Sequence, residues 1–274
     1  MRNIDPSIVL RSTREASIIP RFVDIPWEPL QLKSQSPGAM IKVLSHGVGG
    51  LSIDPTMPVE TWLVHNPPSW FDPYLQYHPC VEEYVRLSGT SPKGYSGGSY
   101  CYRPPGVLHG STGFTTNARY EGGTALYRFA ARGVDALLRY PEDCKFPYRN
   151  LQTVTDECER WPVAWCETIA FDSLEWQPVD AGPWAGTRVK WLSRNVVSGG
   201  GTVLLDLPAG WIGEGSRARG TVEEFVYQGV LHMGGQWFDT WGYACRPVGQ
   251  AAGEYFAAGG AQLVCFWDDD EIAA

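Results

Sequence analysis

Apolar residues along this chain come in short bursts rather than long stripes. Thr61–Asn66 (TWLVHN), Glu82–Gly89 (EEYVRLSG), Gly98–Pro105 (GSYCYRPP), Thr202–Pro208 (TVLLDLP), Glu223–Gly229 (EEFVYQG) and Ala261–Trp267 (AQLVCFW) are rich in β-branched and aromatic residues and bounded by Gly/Pro turns. That pattern predicts strands. Strands at such close spacing predict a sandwich or barrel. Helical periodicity is scarce. Its best stretch, Val134–Tyr140 (VDALLRY), opens a charged segment from about 131 to 168 with few strand signals, which is expected to be a short, partly helical connector.

The bursts recur as a set. Trp27–Leu30 (WEPL) matches Trp176–Val179 (WQPV), and Gly38–Ser45 (GAMIKVLS) matches Gly186–Ser193 (GTRVKWLS). Thr61–Trp70 matches Thr202–Trp211, Val81–Val85 (VEEYV) matches Val222–Val226 (VEEFV), and Arg103–Gly106 (RPPG) matches Arg246–Gly249 (RPVG). Five blocks in one order imply a tandem duplication. Its expected parts are an N-terminal domain over 21–130, the connector over 131–168 and a C-terminal domain over 169–270. This alignment sets Glu223 against Glu82, each twelve residues past a tryptophan.

Composition supports the strand reading and narrows the function. The chain has 274 residues, with 31 glycines and 21 prolines, nearly a fifth of its length against an average of about 12%. With 43% hydrophobic residues this reflects turns rather than disorder. A net charge of −8 lacks the basic footprint that nucleic-acid binding needs and disfavours anionic membranes. Charges at Asp5, Arg11, Arg14 and Glu15 interrupt any signal-peptide core, and no apolar run reaches membrane-spanning length. The seven cysteines include no C-x-x-C pair. An odd number in a chain this long reads as free thiols in a reducing compartment, so the expected location is cytoplasmic.

Two of the five histidines stand in a recognisable frame. Gln76-x-His78-x-x-x-Glu82 is followed after six residues by Gly89, and Gly98 leads after five residues into Pro104-x-Gly106-x-x-His109. This resembles the two motifs of the cupin superfamily, G-x5-H-x-H-x3,4-E-x6-G and G-x5-P-x-G-x2-H-x3-N. Gln76 stands where the first motif has its first histidine, its opening glycine is missing, and Gly113 replaces the closing asparagine of the second. The wording of the repeated blocks is similar to bicupins with ChrR-like (anti-sigma-factor-type) cupin domains. The resemblance implies an all-β chain of two tandem cupin barrels (double-stranded β-helix, or jelly-roll), and it implies Gln76, His78, Glu82 and His109 as metal positions.

The chemistry of those residues agrees. Residues i and i+2 of a strand share a face, so Gln76 and His78 point the same way. Imidazole with carboxylate suits zinc, iron, manganese, nickel or copper. Without Gln76, two histidines and one carboxylate with open positions form the pattern of non-haem Fe(II) oxygenases. With Gln76 bound, one or two positions remain for substrate or O₂. The expected cofactor is one divalent metal per chain, Fe(II) first, with zinc, manganese or nickel as alternatives.

Period two from Glu82 also turns Tyr84 and Arg86 inward, where they are candidates to orient substrate. Trp70 and Tyr77 are candidates for an aromatic mouth. In the second repeat the equivalents of Gln76, His78 and Glu82 are Arg217, Arg219 and Glu223, and Gln250–Gly253 supplies no histidine. That barrel is expected to hold no metal, with Glu223 paired to Arg217 or Arg219. Arg103 and Arg246, which recur beside each Pro-x-Gly turn, are expected to cap carbonyls.

The leading expectation is a dioxygenase using O₂ on a small carbonyl or phenolic compound. The alternatives are a Zn- or Mn-dependent isomerase, lyase or hydrolase, and a non-enzymatic ligand-binding or sensor domain. The resemblance also implies a homodimer, since cupin-like proteins often pair barrels.

Overall fold

A computed structural model describes residues 12–30, 38–49, 56–68, 70, 75–78, 80–90, 96–105, 107, 109–110, 121–130, 138–139, 161–164, 166–215 and 219–269. Among them the chain is nearly all β, with 3-10 turns at Phe22–Asp24 and Phe171–Ser173. No described helix is long and apolar enough to cross a membrane. The cysteines at 80, 101, 166, 245 and 265 are free.

The chain divides into two compact units, each drawn from separate stretches. The first comprises residues 1–9, 27–43 and 51–170, and the second 10–26, 44–50 and 171–274. The strand Met40–Gly49 therefore gives its opening residues to the first unit and its remainder to the second.

In the first unit the main sheet runs Met40–Gly49, Pro58–Asn66, Gly123–Ala130, Glu82–Arg86, Ser99–Arg103, Cys166–Ala170. A smaller sheet runs Leu138–Arg139, Leu75–Tyr77, His109–Gly110. The expected partly helical connector is not helical where it is described. Leu138–Arg139, inside the VDALLRY stretch, is a strand that pairs with Gln76 and Tyr77, and Cys166–Ala170 pairs with Ser99–Arg103. Backbone groups at a sheet edge need partners, and this segment supplies them.

In the second unit the main sheet runs Gln177–Pro178, Arg188–Arg194, Gly199–Leu207, Ala261–Asp269, Val222–Gly229, Tyr243–Arg246, Ser17–Ile19. The smaller sheet runs Trp211–Gly213, Tyr255–Ala257, Leu231–Met233, Gln236–Phe238. In both units the described strands form two facing sheets rather than closed barrels. The core of the second unit lies between its sheets, with Val203, Leu205, Val222, Val226, Leu263 and Trp267 among its buried residues.

Strand register corrects the alignment of the repeats. Glu82 lies opposite Arg103, and the residue opposite Arg246 is Val222, not Glu223. The glycine that ends each strand agrees. Gly89 (φ +73°) and Gly229 (φ +88°) both have left-handed backbone, which favours glycine. A Cβ on Gly89 would lie 1.9 Å from Gly122 O, and one on Gly229 2.6 Å from Gly260 O. Glu82 thus corresponds to Val222, Glu83 to Glu223, Tyr84 to Glu224 and Arg86 to Val226, and counting from the two Pro-x-Gly turns sets His109 against Ala252. The repeated V-E-E string slides by one residue against the fold.

Candidate metal centre

Glu82 opens the strand Glu82–Arg86, His109 opens the short strand after the Pro-x-Gly turn, and His78 follows the strand Leu75–Tyr77. The backbone of Gln76 pairs with that of His109, which brings the two halves of the sequence motif together. The side chains of Gln76 and Tyr77 lie outside the described part of the structure.

The donor atoms of His78, Glu82 and His109 all lie within 4.8 Å of one another. His109 Nε2 is 2.9 Å and His78 Nε2 3.3 Å from Glu82 Oε2, and the two Nε2 atoms are 3.0 Å apart. His78 and Glu82 are buried, and His109 nearly so.

The protonation states make this convergence informative. Burial pushes the His109 imidazole down to about 4, against the pull of the Glu82 carboxylate, so the ring is neutral near pH 7. Its Nδ1 lies 2.8 Å from Val107 O, where a neutral ring donates its one N–H, and this leaves a lone pair on Nε2. Burial works to raise the Glu82 carboxyl, but the Arg103 guanidinium outweighs it and holds the carboxyl well below the usual carboxylate range. A lone pair and a carboxylate oxygen 2.9 Å apart, out of solvent, repel unless a proton or a metal cation joins them. A backbone carbonyl fixing the far nitrogen of an imidazole is also the usual support of a metal-bound histidine. The donor set fits a divalent metal of the iron, zinc or manganese type.

Arg103, expected to cap carbonyls, instead donates from Nη1 to Glu82 Oε1 at 2.7 Å. It occupies one carboxylate oxygen and leaves Oε2 for the centre. Its guanidinium also lies over the Tyr84 ring, 5.3 Å from the centroid. Arg246 likewise reaches a carboxylate, that of Glu224, and donates to Tyr255 Oη at 2.7 Å. Recurrence in both repeats was the signal that this arginine matters. What it could not reveal was the partner.

Tyr84 and Arg86 share the Glu82 side of their strand, because Glu83 and Val85 alternate with them. Tyr84 packs 5.1 Å from the Tyr127 ring. Burial and the neighbouring Cys101 push its hydroxyl well above the ordinary value, against Arg103, so it remains a hydrogen-bond donor. Cys101, opposite Tyr84, is pushed up to about 12 by burial and is no thiolate nucleophile. Trp70 is half-buried.

The reverse face of the strand holds an ion pair that charge patterning alone did not predict. Glu83 accepts from Tyr100 Oη at 2.9 Å and pairs with Arg128 at 3.4 Å, all buried. In the second unit Glu223 accepts from Tyr243 Oη and pairs with Arg14 Nε at 3.2 Å. Among the described residues Glu223 thus finds its ion-pair partner in Arg14. Arg219 is exposed, and Arg217 lies outside the described residues.

Comparison of the sequence with family models and with curated proteins gives no match. Solved structures do match. A candidate dioxygenase from Nostoc punctiforme superposes with a TM-score of 0.67 over 95% of this chain and 84% of that one, at 14% identity. The fold is that of the cupins. A variant of the salicylate 1,2-dioxygenase of Pseudoaminobacter salicylatoxidans, in complex with gentisate, matches with a TM-score of 0.57 over 88% and 76% of the two chains, at 12% identity. A variant of Bacillus subtilis oxalate decarboxylase gives 0.52 over 98% and 80%, at 13% identity. These cupin folds do not single out the ChrR-like group.

Proposed function

We propose that the protein is a metal-dependent cupin enzyme whose single centre is His78, Glu82 and His109. The observation that carries this reading is the convergence of two imidazole nitrogens on one oxygen of a buried, ionised carboxylate. Fe(II) is the favoured ion and a dioxygenase the favoured activity, on a small carbonyl or phenolic compound. Bound there, Fe(II) would supply open positions at which substrate and O₂ meet.

The chain's own residues have definite tasks. His109 stays neutral, with its tautomer set by Val107 O. Arg103 holds Glu82 ionised and turned toward the histidines. Tyr84 keeps its proton and can donate it in a hydrogen bond to a substrate oxygen.

The likeness to oxalate decarboxylase favours a second reading, Lewis-acid or lyase chemistry with manganese or zinc at the same three ligands. Metal analysis of protein purified anaerobically without chelator, followed by oxygen-uptake assays, separates the two. About one iron per chain, lost in His109→Ala, with O₂ consumed on carbonyl or phenolic compounds supports the dioxygenase. Manganese or zinc with O₂-independent turnover supports the second. A metal-free protein, unable to take up any of the three ions, would sink both.

A further inference from the structure

Arg86 stands out among the buried charges. It is 4% exposed, and its Nε and Nη1 are sealed from solvent with no hydrogen-bond partner. Among the described residues no carboxylate pairs with it. A buried guanidinium left in that state is costly, and its natural complement is a planar oxyanion.

Its partners across the sheet are small residues. Arg86 lies on the Glu82 side of its strand, flanked by Ser99 on one neighbouring strand and Ala125 on the other. The second unit supplies an internal control. There the same position is Val226, opposite Leu263 and hydrogen-bonded to the backbone of Gly242, and Val226 and Leu263 belong to the apolar core. The unit that has Val222 for Glu82 and Ala252 for His109 has therefore also closed the Arg86 position with hydrocarbon. Arg103 and Arg246, whose carboxylate partners are internal, persist in both units. Arg86 goes with the metal ligands rather than with the scaffold.

We infer that Arg86 is the substrate-anchoring residue and that the substrate is a small organic acid, its carboxylate held by Arg86 and a second oxygen-bearing group turned toward His78, Glu82 and His109. The position of that second group rests on the metal reading above, whereas the carboxylate preference does not. Glu82 and Arg86 are four strand steps apart, about 13 Å of backbone, so the two oxygen groups belong to different ends of the molecule.

The test is calorimetric titration with 4-oxopentanoate and its neutral counterpart 4-oxopentanamide, on metal-loaded and metal-stripped protein. The acid is expected to bind at least tenfold more tightly than the amide in both forms. Arg86→Gln should abolish that preference while leaving metal content unchanged, and Arg86→Lys should keep part of it. Equal binding of acid and amide by the wild type would overturn the inference, as would an undiminished preference in Arg86→Gln. Sulfate or inorganic phosphate binding as tightly as the acid would overturn the carboxylate assignment. If Arg86→Gln does not fold, the thermal midpoint of the wild type decides, rising with the acid and not with the amide. A protein that holds no metal yet prefers the acid removes the metal reading and keeps this one. A protein that holds metal without the preference does the reverse.

Discussion

The two units keep the same buried ion pair on one face of an equivalent strand and differ on the other. On the shared face, Glu83 with Tyr100 and Arg128 corresponds to Glu223 with Tyr243 and Arg14. On the differing face, Glu82, Tyr84, Arg86 and His109 become Val222, Glu224, Val226 and Ala252. One arginine is common to both faces' histories. Arg103 reaches the acid at the Glu82 position, while Arg246 reaches the acid two residues further on. The second unit has moved its carboxylate along the strand and kept its arginine satisfied. A cavity of about 490 Å³ opens where Arg246, Ala244 and Ala252 meet Phe238 and Met233. The pattern teaches that carboxylate position, rather than the presence of an acid, separates a candidate centre from a scaffold.

Converting the first unit toward the second should give the largest effect. Glu82→Val is expected to eliminate metal binding, read by mass spectrometry of the metal. It should also cost about 3–5 kcal/mol in denaturant unfolding, because Arg103 loses its buried carboxylate. Adding Tyr84→Glu, the arrangement found at Val222 and Glu224, should restore at least half of that stability without restoring metal. No rescue in the double variant would break the comparison between Arg103 and Arg246. Arg103→Met is expected to weaken metal binding about 10–100-fold, measured by competition with a chromophoric chelator.

Acid stability offers a gentler probe. His109 is held at about 4 by burial, below its ordinary 6.5, so the unfolded chain takes the proton first as pH falls. The metal-free protein should therefore lose stability from about pH 6.5 down toward 4. Glu82, held well below 4.5, contributes stability above that value and loses it as pH drops further through its folded pKa. His109→Ala should flatten the upper part of the curve, and Ala252, its counterpart, offers no group to titrate. Smallest of all, Tyr84→Phe should change stability by less than about 1 kcal/mol and leave metal content untouched, a loss of metal being the contrary result.

Much of the candidate centre was legible in the sequence. The spacings around His78, Glu82 and His109 picked out three side chains that the fold brings together, Gln76's side chain lies outside the described part of the structure, and period two placed Tyr84 and Arg86 on the Glu82 side of the strand. The alignment of the repeats misled by one residue because V-E-E is a string of letters, whereas a strand counts faces. The spacing to the closing glycine held the correction, since Glu82–Gly89 and Val222–Gly229 are both seven residues while Glu223–Gly229 is six. Glu83 was illegible as a core residue. An acidic side chain on the reverse face of a strand reads as solvent-facing, and only its buried arginine and tyrosine partners, distant in sequence, explain it. Leu138–Arg139 became a strand against its helical pattern because a sheet edge overrides a weak local preference.

Ser17–Ile19 pairs with Tyr243–Arg246, Ser17 lying opposite Cys245. Ribosomes add about 5–20 residues each second, so this arm emerges roughly ten to fifty seconds before its partner strand exists. Arg14 waits equally long for Glu223. The second unit is therefore completed by a segment made long before its partner, and its maturation is timed by the synthesis of Tyr243–Arg246 rather than by its own local folding rate.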